Sequence, residues 1–134
     1  MSKQQLYFIV DGYATTTDGA TQIALVTFDT STGAPGGTAL NNCTIFINGT
    51  ATGFNSGSGA GSAERVAAAF KVNAGTLAQI GSTTHVSTML SNETPAPNTG
   101  FSVSGTVITY WAVGSASQTI NWLGRMDLHI YQNS

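Results

Sequence analysis

Residues 119–131, near the C-terminus, alternate apolar and polar side chains with a period of two. Every even-numbered position from 120 to 130 is apolar or glycine. The odd-numbered positions include four polar side chains: Asn121, Arg125, Asp127 and His129. Successive side chains of a strand point to opposite faces, so the pattern predicts a long strand with one face on a core and the other toward water or a partner. A helix would mix Arg125 and Asp127 into its apolar stripe, which argues against a helical interpretation.

The rest of the chain consists of short segments rich in β-branched and aromatic residues, separated by glycine, proline and asparagine. Together with the C-terminal segment they predict about eight to nine strands: 6–10, 22–28, 43–52, 64–72, 76–80, 84–90, 101–103, 107–111 and 119–131. Such regular spacing predicts an all-β fold, a single-domain antiparallel β-sandwich of the jelly-roll kind over residues 1–134. Within it, residues 1–13 are an N-terminal strand or arm used in contacts.

Three local features of the sequence bear on where strands run, end or bend. Residues 64–72 have helical propensity because of their alanines, but their period-two pattern favours a strand that turns at 73–75. Asp11-Gly12 is predicted to end the first strand, and Asn48-Gly49 is predicted to form a bulge or a tight bend. Five large side chains on the apolar phases of strands are expected to anchor the core: Phe70, Trp111, Trp122, Met126 and Leu128. Trp111 is also compatible with a subunit interface.

Charged residues make up only 7% of the chain, and the formal net charge is −2. Ordinary soluble domains carry about 25% charged residues. The few basic residues are scattered, so the sequence predicts no binding to nucleic acid or to an anionic membrane. No secretory signal or transmembrane segment is recognised, and synthesis in the cytoplasm is expected.

Residues capable of catalysis or metal binding are few and dispersed. Cys43 is the single cysteine, and its apolar neighbours indicate a buried structural thiol. His85 and His129 are the only imidazoles and show no local metal-ligand spacing. We therefore expect no enzymatic activity, no metal and no cofactor.

Several short motifs follow one another along the chain. Residues 16–21, Thr-Thr-Asp-Gly-Ala-Thr, precede a predicted strand, and residues 45–75 combine a strand, a glycine-rich loop and an alanine-rich strand ending at a glycine turn. The C-terminal part adds three further motifs: Val-Ser-Gly at residues 103–105, a valine-rich strand at 107–113 and Thr-Ile-Asn-Trp at 119–122. Over residues 14–131 this succession resembles bacteriophage virion structural proteins, namely small jelly-roll head-decoration and fibre-appendage modules. The resemblance implies a homotrimeric β-sandwich that builds or decorates the virion surface without catalysis.

The sequence lacks the long fibrous N-terminal part by which tail fibres attach, so the expected role is a capsid decoration or cement protein that contacts itself and the major capsid protein. The alternative is a tail-fibre or appendage module that binds a receptor glycan through exposed aromatic side chains. The predicted subunit or capsid contacts are Leu6, Tyr7, Phe8, Pro35, Pro95, Pro97, Asn121, Arg125, Asp127 and His129. For Arg125 and Asp127, a merely solvated strand face is the other interpretation.

Overall fold

The computed structural model describes residues 3–133, so residues 1 and 2 of the predicted N-terminal arm, and residue 134, lie outside the described part. Residues 3–133 contain nine strands and no helix: β1 (Lys3–Thr16), β2 (Ile23–Asp29), β3 (Cys43–Asn55), β4 (Ala60–Asn73), β5 (Thr76–His85), β6 (Leu90–Ser91), β7 (Asn98–Ser104), β8 (Val107–Val113) and β9 (Ile120–Asn133). They form two antiparallel sheets, which confirms the predicted all-β sandwich. No helix that could cross a membrane occurs in this range.

The two sheets differ in size. The large sheet has the order β1-β9-β3-β4-β5, with the short β6 paired to β4, and the small sheet has the order β2-β8-β7. The C-terminal strand β9 lies inside the large sheet. It pairs along its whole length with β1, from Lys3↔Asn133 to Thr16↔Ile120, and on its other side with β3. The long N-terminal and C-terminal strands are therefore neighbours.

The core lies between the sheets, and β9 supplies its centre. All even-numbered side chains of β9 from 120 to 130 are buried, as their alternation predicts, while the odd-numbered positions are half-buried or exposed. Trp122, Met126 and Leu128 of β9 pack with Phe70 of β4 in this core. Trp111 does not anchor the core, contrary to the prediction. The inner face of β8 is made by Ile108, Tyr110 and Ala112, so Trp111 lies half-buried on the outer face of the small sheet and its indole covers Gly100.

Strand β1 is longer than predicted. Asp11-Gly12 does not end it, and the strand continues to Thr16 in unbroken register with β9. Gly12 pairs with Gly124, and at this point the two sheets come close together. A Cβ on Gly12 would overlap the carbonyl oxygen of Leu25, and a Cβ on Gly124 would lie 2.6 Å from Leu25 Cβ. Leu25 is an extra residue at a register shift in β2, so the glycines make room for a bulge rather than a turn.

Strand β3 contains no bulge at Asn48-Gly49, contrary to the prediction. Its pairing with β4 and with β9 is uninterrupted across these residues. Gly49 serves packing instead, because a Cβ there would lie 2.9 Å from Phe101 Cζ and 3.0 Å from the ring of Tyr110. Phe101 and Tyr110 are stacked with ring centroids 4.8 Å apart, and the missing side chain lets this pair reach the sheet.

The alanine-rich segment is a strand, β4, and it turns back into β5 as expected. The loop is the two residues Ala74-Gly75, both with positive φ (50° and 80°), which is the arrangement of a type I′ hairpin. The return strand runs on to His85. The prediction of a separate strand over 84–90 is therefore wrong. After β5, only Leu90–Ser91 of this segment forms a strand, which pairs with β4.

Candidate interaction surface

The outer face of the large sheet, turned away from the small sheet, carries most of the exposed large apolar side chains. Its side chains come from odd-numbered residues of β1, β4 and β9 and from even-numbered residues of β3, the positions opposite the buried ones. Because the strands are in continuous register, these side chains line up in rows that run across the sheet. Four of these rows lie side by side.

The aromatic row runs across all five long strands and consists of Tyr7, His129, Phe46, Ala69 and Ile80. The rings of Tyr7 and His129 are 4.5 Å apart between centroids. Tyr7 is 58% exposed, and Phe46 and Ile80 are also exposed. A groove of about 550 Å³ runs beside this row, lined by Gln5, Leu6, Tyr7, Thr44, Phe46, His129, Ile130 and Tyr131.

The carboxylate row comes next and consists of Ile9, Asp127, Asn48 and Ala67. Asp127 lies at its centre on β9. Its Oδ1 atom is shielded by neighbouring atoms and has no hydrogen-bond partner among residues 3–133. A buried carboxylate oxygen without a donor is unfavourable, so this position can gain from a cation brought close to it.

The charged row follows and consists of Asp11, Arg125, Thr50 and Arg65. Arg125 Nε donates a hydrogen bond of 2.8 Å to Asp11 Oδ1, and both side chains are about half exposed. The hydrogen bond to Asp11 and the charge of that carboxylate raise the pKa of Arg125. Because both side chains are exposed to water, this pair contributes little to folding. The contact uses Nε, and the terminal nitrogens of Arg125 make no hydrogen bond to another residue of 3–133.

The leucine row lies beyond the charged row and consists of Tyr13, Leu123, Thr52, Ala63 and Leu90. Tyr13 is 81% exposed, and Leu90 is also largely exposed. The outer face therefore shows two apolar rows separated by two rows that carry its central charges. Exposed large apolar side chains grouped on one face in this way are typical of interaction sites.

Only some of the predicted contact residues lie on this outer face. Tyr7, Asn121, Arg125, Asp127 and His129 all lie on the outer face of the large sheet. Asn121 Oδ1 accepts a hydrogen bond of 2.8 Å from the Thr15 hydroxyl.

The remaining predicted contacts do not belong to this face. Leu6 and Phe8 are half-buried and pack against the core, Phe8 with its ring 5.5 Å from that of Phe28, although Leu6 also lines the groove beside the aromatic row. Pro97 is buried, which contradicts its prediction as a contact. Pro35 and Pro95 are exposed in loops apart from the sheet face.

Sequence reasoning missed three members of the surface: Phe46, Phe54 and Ile80. A signal for them exists. They are large apolar side chains in the polar phase of strands, such as Phe46 between Thr44 and Asn48. An apolar residue on that phase faces away from the core whenever the opposite phase is the buried one.

A second polar cluster lies inside the sandwich and links the two sheets. Glu64 of β4 is buried, and its Oε2 is 2.7 Å from His85 Nδ1 while its Oε1 accepts a hydrogen bond of 2.6 Å from the Thr99 hydroxyl. The Thr99 hydroxyl lies 3.3 Å from the hydroxyl of Tyr110. Thr99 and Tyr110 belong to the small sheet, so Glu64 holds the sheets together at this point. This is the structural use of the one carboxylate–imidazole pair found among the described residues.

Burial raises the pKa of Tyr110 to about 12. An unfolded tyrosine loses its proton near pH 10, so above that pH the unfolded chain binds fewer protons than the folded protein, and stability falls as the pH rises from about 10 to about 12. We expect the decline from Tyr110 to be on the order of 2–3 kcal/mol. Urea titrations of wild type and Tyr110→Phe from pH 8 to 12 measure it.

Because phenylalanine does not titrate, Tyr110→Phe is expected to fall less steeply over this window than the wild type. It retains the Thr99–Glu64 hydrogen bond and the ring stack on Phe101, so it is a conservative control. Equal slopes for the two proteins would contradict the assignment to Tyr110.

Metal binding and thiol chemistry find little support in the described residues. No group of three or more His, Cys, Asp or Glu side chains within residues 3–133 is placed to hold a metal ion. His85 lies beside Glu64, whereas His129 lies on the outer face against Tyr7. Cys43 is buried, and burial raises the pKa of its thiol, which disfavours the reactive thiolate.

Comparison with known proteins gives one structural likeness. No protein-family model matches the sequence, and no curated protein matches it. The fold is similar to part of the tailspike protein of Acinetobacter baumannii phage AM24, with a TM-score of 0.51 and 11% sequence identity. The match covers 95% of this chain and 26% of the tailspike chain, so the chain spans about a quarter of that protein. At this identity the likeness establishes a shared sandwich fold.

Proposed function

We propose that this chain is a non-catalytic structural module of a bacteriophage virion, located in a tail appendage. The observation that carries the proposal is the outer face of the large sheet. It presents two rows with exposed apolar side chains on a domain whose surface is otherwise rich in Thr, Ser, Asn and Gly and poor in charge. A face of this kind suits permanent packing against another protein surface better than electrostatic capture of a soluble ligand.

The fold likeness supports the proposed location. The sandwich resembles part of a tailspike over almost the whole of this chain, which supports an appendage rather than the capsid-decoration role expected from the sequence. The non-catalytic role is supported by the Glu64–His85 pair, since both carboxylate oxygens of Glu64 already have partners and Glu64 is buried. Capsid decoration stays a prediction that the following experiment also tests.

Purified virions that carry an epitope-tagged copy of the chain can be imaged by electron microscopy with gold-labelled antibody. The expected result is label on the tail appendages. Label on the capsid shell would overturn the appendage location and favour decoration of the head, and tagged protein that is absent from purified virions would overturn the virion role altogether.

A further inference from the structure

The four rows on the outer face are arranged symmetrically about a line between the carboxylate row and the charged row. One apolar row lies on each side at the same distance, the aromatic row beyond Asp127 and the leucine row beyond Arg125. Both charged side chains belong to β9 and are two residues apart. A rotation by 180° about that line therefore exchanges the two apolar rows and exchanges the positions of Arg125 and Asp127.

We propose that the occupant of this face is a second copy of this chain, packed face to face and antiparallel about a two-fold axis along that line. The interface is then isologous, with the same residues contributed by both copies. Arg125 of each copy faces Asp127 of the other, and Tyr13 faces Tyr7. This pairing rests on the proposed structural function, since it assigns a partner to the same outer face.

Charge complementarity is the first argument for this pairing. Arg125 is held by Asp11 through Nε, which leaves the fork of its two terminal nitrogens as donors for another carboxylate. Asp127 accepts no hydrogen bond from the described residues, and because its Oδ1 is shielded, Oδ2 is the oxygen that a guanidinium of another copy can reach. Within one copy both side chains lie on the same strand face, whereas the two-fold rotation places each guanidinium over the carboxylate that needs a donor.

The size of the apolar surface is the second argument. Eight large apolar side chains of this face are each at least 43% exposed: Tyr7, Ile9, Tyr13, Phe46, Phe54, Ile80, Leu90 and Tyr131. With side chains of roughly 200 Å² each, they present on the order of 800 Å². Specific protein interfaces bury about 800 Å² per partner. The face is therefore large enough for a stable pair without contributions from the loops.

The pattern favours a second copy over a glycan. A glycan would stack on the aromatic row and fill the groove beside Tyr7 and Tyr131, but it would leave the leucine row with Tyr13 exposed. A second copy covers both apolar rows at once and also pairs the charges between them. The two-fold arrangement thus accounts for both apolar rows and for the pair Arg125 and Asp127 between them.

Analytical ultracentrifugation of the purified chain over a concentration series tests the pairing. The expected wild-type result is a monomer–dimer equilibrium. Arg125→Asp places two pairs of carboxylates against each other across the axis, and Asp127→Arg does the same with two pairs of guanidinium groups, so each change is expected to weaken dimerisation on the order of tenfold or more. The double variant Arg125→Asp/Asp127→Arg restores opposite charges at both contacts and is expected to dimerise within about threefold of wild type.

The matched control is Thr27→Arg, which adds a charge on the outer face of the small sheet and is expected to leave dimerisation unchanged. Circular dichroism verifies that all variants fold. A wild-type chain that stays monomeric over the series would overturn the proposal, and its retention on a glycan array would then favour glycan binding. A trimer, or a double variant no better than the single ones, would overturn the two-fold pairing. These results concern the purified chain, so they are independent of where the chain lies in the virion.

Discussion

Replacing Trp122 with Ala is expected to lower the free energy of unfolding by about 3–5 kcal/mol. Trp122 is only 2% exposed, and it fills the centre of the core from β9. Its ring lies against Gly53, where a Cβ would be 2.8 Å from Trp122 Cε3, so the backbone of β3 is shaped around it. Its indole N–H also donates a hydrogen bond of 2.9 Å to the Thr16 hydroxyl. The substitution removes this bond and leaves a cavity that the two sheets cannot close.

Chemical denaturation monitored by far-UV circular dichroism measures this loss. Trp122→Phe is the matched control. It keeps most of the ring volume and loses the N–H donor, so we expect a smaller loss of about 1–3 kcal/mol. Trp111→Ala is a second control, because this half-buried ring lies outside the core. If Trp122→Ala were no more destabilising than Trp111→Ala, the assignment of Trp122 as the core anchor would be wrong.

Replacing Glu64 with Ala is expected to cost about 3 kcal/mol of stability. The carboxylate bonds His85 and Thr99 from a buried position, so its removal leaves the Thr99 hydroxyl, which is fully buried, without its strongest acceptor. It also removes the polar link from β4 to the small sheet. The expected loss of stability is large because water does not easily reach the polar groups that lose their partner.

Glu64→Gln separates the hydrogen bonds from the charge. The amide oxygen can accept from Thr99 and the amide nitrogen can donate to a neutral His85, so we expect this variant to lose less than about half as much as Glu64→Ala. Denaturant titration of both variants at pH 8 provides the comparison. Equal losses would show that the negative charge, rather than the hydrogen-bond geometry, stabilises the contact.

Much of the local structure was predictable because the alternation of a strand is a local property. The period-two pattern of residues 119–131 predicted the buried face of β9, and the same pattern outweighed the helical propensity of Ala67, Ala68 and Ala69 in β4. Tertiary pairing explains the second result, since isolated helix propensity amounts to tenths of a kcal/mol per residue while burial of Val66, Phe70 and Val72 contributes about 1.5–3 kcal/mol each.

The errors share one physical cause. A period of two shows which residues share a face but not which face another sheet covers. In β8 both phases are apolar, so Trp111 and Tyr110 were equally suited to the core, and only the packing of the small sheet on the large one placed Tyr110 inside. Likewise Gly12 and Gly49 suggested a turn and a bulge, whereas their role is to admit Leu25 and the rings of Phe101 and Tyr110 from the opposite sheet.

An all-β chain with a long amphipathic C-terminal strand is predictable from the amino-acid sequence, because those properties depend on neighbouring residues along the chain. Which strands lie beside β9, and in which register, depends on packing between distant segments. Register alone places Tyr7, His129 and Phe46 in one row and brings Glu64 to His85 and Thr99, since these residues are distant in sequence and meet only when β1, β3 and β4 pair and the sheets stack. The candidate surface is a product of that non-local pairing.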